Sequence, residues 1–341
     1  MLLLLYAMCE WEYFYFLGGA MGCASSKPRL EDDASPSAKS QAELIAANFK
    51  VARPKKTMIE TVVAALSPLD DRILEVLGSG DIRLVRSEWF VLQPEGYHIQ
   101  RRQELEVLEK AGAVPSPLLS ADEAVALVRK CNRGAAALSY GWLSSEHPDP
   151  LGHRVGELRT ALISLTHIAG FFWDFASLPQ NPRTDEEDEA FRRALVVMGD
   201  LYSSPCGLSV LQIRHIPPRP LDFAGMYNDR AFDERGWCVF EDAVVTSLLC
   251  RLRALPKLQA ILDTLPPKLF VQDEGSLEPR ELNDDVSVAS FTVRLQAAKF
   301  TGKGDEVVVV NLFKSEYVER YAMRLQGILG AMSMSAVWWN A

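Results

Sequence analysis

The chain reads as an α/β protein, a parallel sheet with flanking helices, extended by helical segments before and after. Three observations predict this class. From residue 135 onward, short apolar runs alternate with helical stretches, the pattern that builds a parallel sheet. The chain has 341 residues, 48% hydrophobic and 24% charged, enough length and apolar content for a substantial core. Polar residues follow the apolar runs, and the carboxyl edge of an open α/β sheet is where ligands bind.

The elements follow in order. Residues 135–142, AAALSYGW, give a first strand ending in Ser139, Tyr140 and Trp142. A helical stretch covers residues 153–167, and residues 171–177, FFWDFAS, give a second strand carrying Asp174. Thr184 and Glu187 have capping-box spacing and open a helix running to about Tyr202. Residues 208–213, LSVLQI, form a third strand, followed by a proline-rich loop and a long helix over residues 236–255. Right-handed crossovers place the strand ends on one edge.

The flanks are less regular. Residues 42–134 read as a mostly helical supporting segment, with apolar residues at helical spacing over 42–50 and 58–66. Residues 101–110 have the charged face of an exposed helix, and Ser120 with Glu123 caps a helix over 121–131. Residues 256–341 form a C-terminal α/β extension packed on the 135–255 core. In it, 265–272 adds a strand, 291–300 reads as a helix, and the valines at 307–310 fit helix or strand.

Composition narrows the function. A net charge of −9 argues against nucleic acid, which rewards clustered positive charge. Cys9, Cys23, Cys131, Cys206, Cys238 and Cys250 form no close cluster along the chain and read as reduced cytosolic thiols. No metal site is expected, because His147 and His153 lack a companion thiol or carboxylate cluster. TGKGDE at 301–306 lacks phosphate-loop spacing, and DEEDE at 185–189 reads as a solvated helix start.

Residues 1–41 read as a disordered tail containing MGCASSK at 21–27. Gly22 after Met21, with Ser26 four residues later, is a myristate acceptor if translation begins at Met21, and Cys23 offers a second acyl site. The preceding residues lack the basic region of a secretory signal, and Glu10 and Glu12 interrupt their apolar run. With a start at Met21, the expected location is the cytoplasmic face of a membrane, reached through the acylated terminus. With Met1 it is the cytoplasm.

ALSYGW, WDFASLPQ and RGWCVFE, in that order, resemble the three-block signature of the heterokaryon-incompatibility (HET) domain. Asp174 and Gln180 match its second block, and Arg235, Gly236, Trp237 and Glu241 match its third. The likeness covers about residues 135–245 and is that of a divergent member. Leu143 stands where glycine is usual, Trp173 directly precedes the Asp, and Cys238 replaces a commoner threonine. HET domains are similar to Toll/interleukin-1 receptor (TIR) domains, which implies a TIR/flavodoxin-like three-layer core. WCVFE also resembles a TIR helix whose glutamate is needed to cleave NAD at the nicotinamide–ribose bond.

The resemblance implies Glu241 as catalytic candidate, with Ser139, Tyr140, Trp142, Asp174, Gln180, Arg235 and Trp237 as substrate-binding candidates. No cofactor is expected; NAD would be the substrate. Glu241 has a bland alternative as an ordinary acid in the first turns of a helix. Asp174 either orients a ribose hydroxyl or caps a loop. Trp237 also suits a core role, and Cys238 has no nearby histidine to activate it. Two function classes follow: a membrane-tethered NAD-cleaving signalling or defence enzyme, and a non-catalytic scaffold acting through self-association, which makes a homo-oligomer the expected partner.

Overall fold

The computed structural model describes residues 54–221, 223–253, 256–280, 288–300, 305–314 and 322–334. The tail at 1–41, with Gly22 and Cys23, and the helix expected over 42–50 lie outside the described residues.

In chain order the helices and strands are α1 (Pro54–Leu66), α2 (Asp71–Gly78), β1 (Val85–Arg86), α3 (Ser87–Val91), α4 (Arg102–Lys110) and α5 (Ala121–Arg129). There follow β2 (Ala135–Tyr140), α6 (His153–Ser164), β3 (Gly170–Phe172), α7 (Asp174–Ser177), α8 (Asp185–Ser203) and β4 (Leu208–Ile213). The remainder is α9 (Gly236–Arg253), α10 (Pro256–Leu262), β5 (Leu269–Asp273), β6 (Ser276–Pro279), α11 (Val288–Ala297), α12 (Asp305–Asn311) and α13 (Ala322–Met334). No helix among the described residues is long and apolar enough to cross a membrane.

The sheet has six strands in the order β1-β3-β2-β4-β5-β6. β3, β2, β4 and β5 run parallel, and Ala135 sits opposite both Gly170 and Leu208. β1 and β6 pair antiparallel at the two edges. The expectation of a purely parallel sheet is therefore corrected. β1 arises inside the segment expected to be mostly helical, and β6 returns from β5 through a tight Glu274–Gly275 turn, both residues at positive φ. β5 is the fourth parallel strand of the sheet, so the sheet continues beyond the core boundary expected near residue 255.

Every residue of β2 and β4 is buried, as central strands covered on both faces must be. Alternation then divides the side chains between two cores. Ala135, Ala137, Leu208 and Val210 join one cluster with Phe172 of β3 and Leu269 of β5, and α1, α2, α5 and α8 to α13 supply most of the rest. Ala136, Leu138, Leu211 and Ile213 join the other, against α3, α4 and α6. Helices thus cover both faces of the sheet.

One buried cluster sits at the amino ends of the strands. Cys131 and Arg133 precede β2, Cys206 precedes β4 and Lys268 precedes β5. Asp70 joins them from the turn before α2, and burial pushes its carboxyl up to about 7. The fold therefore brings together cysteines that are far apart in sequence.

Candidate active site

A cavity of about 480 Å³ opens at the carboxyl ends of β2 and β3. Tyr140, Gly141 and Trp142 enter it from the end of β2, and Asp174 and Gln180 from the segment after β3. Tyr202 comes from the last turn of α8, and Trp237, Cys238 and Glu241 from the first turns of α9. Exposed Arg230 and Lys299 stand at the rim.

Glu241 is 8% exposed and engaged at both oxygens. Ser139 Oγ donates to Oε2 at 2.6 Å, and Tyr202 Oη lies 2.9 Å from Oε1. Burial pushes the carboxyl up to about 8, assisted by the charge of Asp174 and opposed by the Ser139 and Tyr202 hydrogen bonds. Tyr202 Oη is also 2.8 Å from the Leu138 carbonyl oxygen, so the phenol shares its one proton between this carbonyl and the Glu241 carboxyl. With its carboxyl pushed up to about 8, Glu241 favours the neutral form at neutral pH.

Asp174 is held differently. Tyr140 Oη donates to Oδ1 at 2.6 Å, the Phe175 amide donates to Oδ1 at 2.7 Å, and Trp142 Nε1 donates to Oδ2 at 2.8 Å. Tyr140 in turn accepts from Trp173 Nε1 at 2.6 Å. Burial raises the Asp174 carboxyl above its ordinary value despite these donors. These bonds shape α7. Ser177 Oγ accepts the Trp173 amide while Asp174 caps its neighbour, so the chain turns after Phe172. The strand expected over 171–177 therefore ends at Phe172. Tyr140 and Trp142 each make an edge-to-face contact, with Trp173 and Phe175 respectively.

Arg235 spends its guanidinium on backbone. It donates to the carbonyls of Arg230, Asn228 and Trp142, tying the 228–230 loop to the end of β2. The side chain crosses directly over Gly141, where a Cβ would fall 2.5 Å from Cζ. Gly236 is equally constrained, since a Cβ there would meet the Phe300 ring at 2.1 Å. Gln180 is also spent locally, its amide donating to the carbonyls of Asp174 and Leu178. Trp237 Nε1 donates to Asp305 Oδ2 at 3.1 Å, so this indole is half core and half wall.

Tyr140, Trp142, Asp174, Gln180, Arg235, Trp237 and Glu241 all line this cavity. Ser139 does not line it and reaches it only through Glu241. Cys238 is buried, donates its thiol to the Tyr140 carbonyl, and is pushed well above the ordinary thiol range, so it offers no thiolate. Sequence reading missed Tyr202 as a site residue, because an aromatic at the buried end of a helix has the look of core. It also missed Arg230 and Lys299, which carry no local pattern. No family model, no curated protein and no solved structure matches the chain.

Proposed function

We propose that this chain is a HET/TIR-like signalling or defence protein, tethered to a membrane by Gly22 and Cys23, that cleaves NAD to nicotinamide and ADP-ribose. The observation that carries the reading is Glu241, held by Ser139 and Tyr202 at the wall of a cavity on the carboxyl edge of the parallel strands. Strand order adds support. Counted along the chain, the parallel strands lie 2-1-3-4, as in the flavodoxin-like order, and the site stands beside its switch point between β2 and β4.

Nicotinamide leaves NAD as a neutral base, so its departure needs no proton and the difficulty lies in the cation left on the ribose. A carboxylate beside that oxocarbenium-like centre stabilises it, and water completes hydrolysis. Glu241 arrives at this task mostly protonated. The fixed positive charge of the bound pyridinium favours the ionised carboxylate, while Ser139 and Tyr202 remain to solvate it. Arg230 and Lys299 at the rim offer the diphosphate its counter-charge.

The test is nicotinamide release from NAD by purified full chain, free and crowded on vesicles. Glu241→Gln is expected to lower kcat/KM by on the order of 10² or more. Because the ionised form is the active one, kcat/KM rises with pH and levels off above about 8. A flat profile between pH 6 and pH 9 (about the span that brackets this group) would remove Glu241 from the chemistry.

The same hydrogen bonds favour one second reading. Both oxygens of Glu241 are already engaged, as in a structural pin, and the chain then works as a self-associating scaffold. Nicotinamide release absent under every assembling condition selects that reading.

A further inference from the structure

The amino ends of the strands carry a second constellation, on the sheet edge opposite the cavity. The two sulfurs of Cys131 and Cys206 and a carboxylate oxygen of Asp70 all lie within 4.8 Å of one another, and all three residues are buried. Asp70 Oδ2 accepts from Ser204 Oγ at 3.0 Å. Asp70 Oδ1 is buried with no hydrogen-bond partner among the described residues. An orphaned buried carboxylate oxygen is costly, and this carboxyl group lies beside two buried thiols, a donor set that suits a cation.

Space has been made for this arrangement. A Cβ on Gly207 would stand 2.7 Å from Asp70 Oδ2, so only glycine lets the carboxylate reach this position. Two basic side chains lie beside it. Arg133 donates to the Pro205 and Pro266 carbonyls, and Lys268 Nζ donates to the Leu208 carbonyl. Both are buried; burial pulls the Lys268 ammonium well below its ordinary value, and its charge acts on Asp70. A divalent ion held by two thiolates and a carboxylate forms a unit of formal charge −1, which basic neighbours favour.

We propose that Asp70, Cys131 and Cys206 bind a structural metal ion of the zinc class. Two thiolates and one carboxylate suit a borderline-soft divalent cation, while the Ser204 hydroxyl, which accepts the Gly207 and Leu208 amides and donates to Asp70, holds the carboxylate in place. The ion would join the turn before α2, the end of α5 and the entry to β4, coupling the N-terminal helices to the sheet. Binding releases the thiol protons, so affinity rises with pH. A Cys131–Cys206 disulfide is the competing use of the same sulfurs, and it would leave Asp70 Oδ1 as orphaned as before.

The experiment uses the full chain, purified under reducing conditions and equilibrated with Zn²⁺ or Co²⁺ alone. Expected are about one tightly held zinc per chain and, with cobalt, the intense sulfur-to-metal charge-transfer band of a tetrahedral thiolate site. Cys131→Ser and Cys206→Ser remove the band, and Cys250→Ser, outside the cluster, retains it. The wild-type spectrum decides even where a variant fails to fold. Zinc well below stoichiometry with no cobalt–thiolate band, or an intact mass showing a Cys131–Cys206 disulfide in the native chain, overturns the proposal.

Discussion

A glutamic acid inside a protein is a net cost unless something else needs it there, and burial pushes the Glu241 carboxyl above its ordinary range. Its folded carboxyl sits at about 8 against an ordinary 4.5, so the folded state holds an extra proton between these values. Stability from this group is therefore full below the ordinary value and declines as pH rises through about 8. Glu241→Gln removes that decline. Its urea midpoint is expected near wild type at pH ~5 and above it at pH ~9, by an energy on the order of a few kcal/mol. A difference that does not grow with pH would mean the carboxyl is well solvated. Gly236 gives a sharper steric test. Gly236→Ala drives a methyl into the Phe300 ring and should cost about 1–3 kcal/mol, read as a lower denaturation midpoint.

At the scale of elements, capping chemistry is directly measurable. The α8 box is complete: Thr184 Oγ1 accepts the Glu187 amide, and Glu187 Oε2 accepts the Thr184 amide. Thr184→Ala should cost about 1 kcal/mol, with thermal unfolding as the readout. Such local signals explain what was legible in the sequence. Both boxes are printed in the chain, at Ser120 and Thr184, and the helices they open begin where expected. β4 was legible from Leu208, Val210, Leu211 and Ile213, with Ser209 and Gln212 buried among them and hydrogen-bonded to the Pro267 carbonyl and Asp242. β1 was not, since a two-residue edge strand has no periodicity to read. β6 is mostly exposed and short, so its pairing with β5 depends on the turn. The valines at 307–310 lie in α12, where Val309 packs into the core and tertiary contact overrides β-branched preference.

On the scale of the whole molecule, the site is a convergence of segments that the sequence lists far apart. Three blocks of resemblance supplied the candidates, yet only folding shows that Glu241 is solvated by Ser139 and Tyr202, from β2 and α8. Tyr202 could not be read, because its role exists only once α8 lies against α9. The proposed anchor is also a whole-chain property. One myristoyl chain binds membranes with a constant of only about 10⁴ M⁻¹, so residence needs a second acyl group at Cys23. Cys23→Ser should move most of the protein to the soluble fraction on flotation with vesicles. Retention on membranes would end the dual-acyl account.

The grip of Arg235 on the Trp142, Asn228 and Arg230 carbonyls makes one side chain the keystone of this wall. Were that guanidinium removed, the end of β2 and residues 228–230 would lose their shared support together.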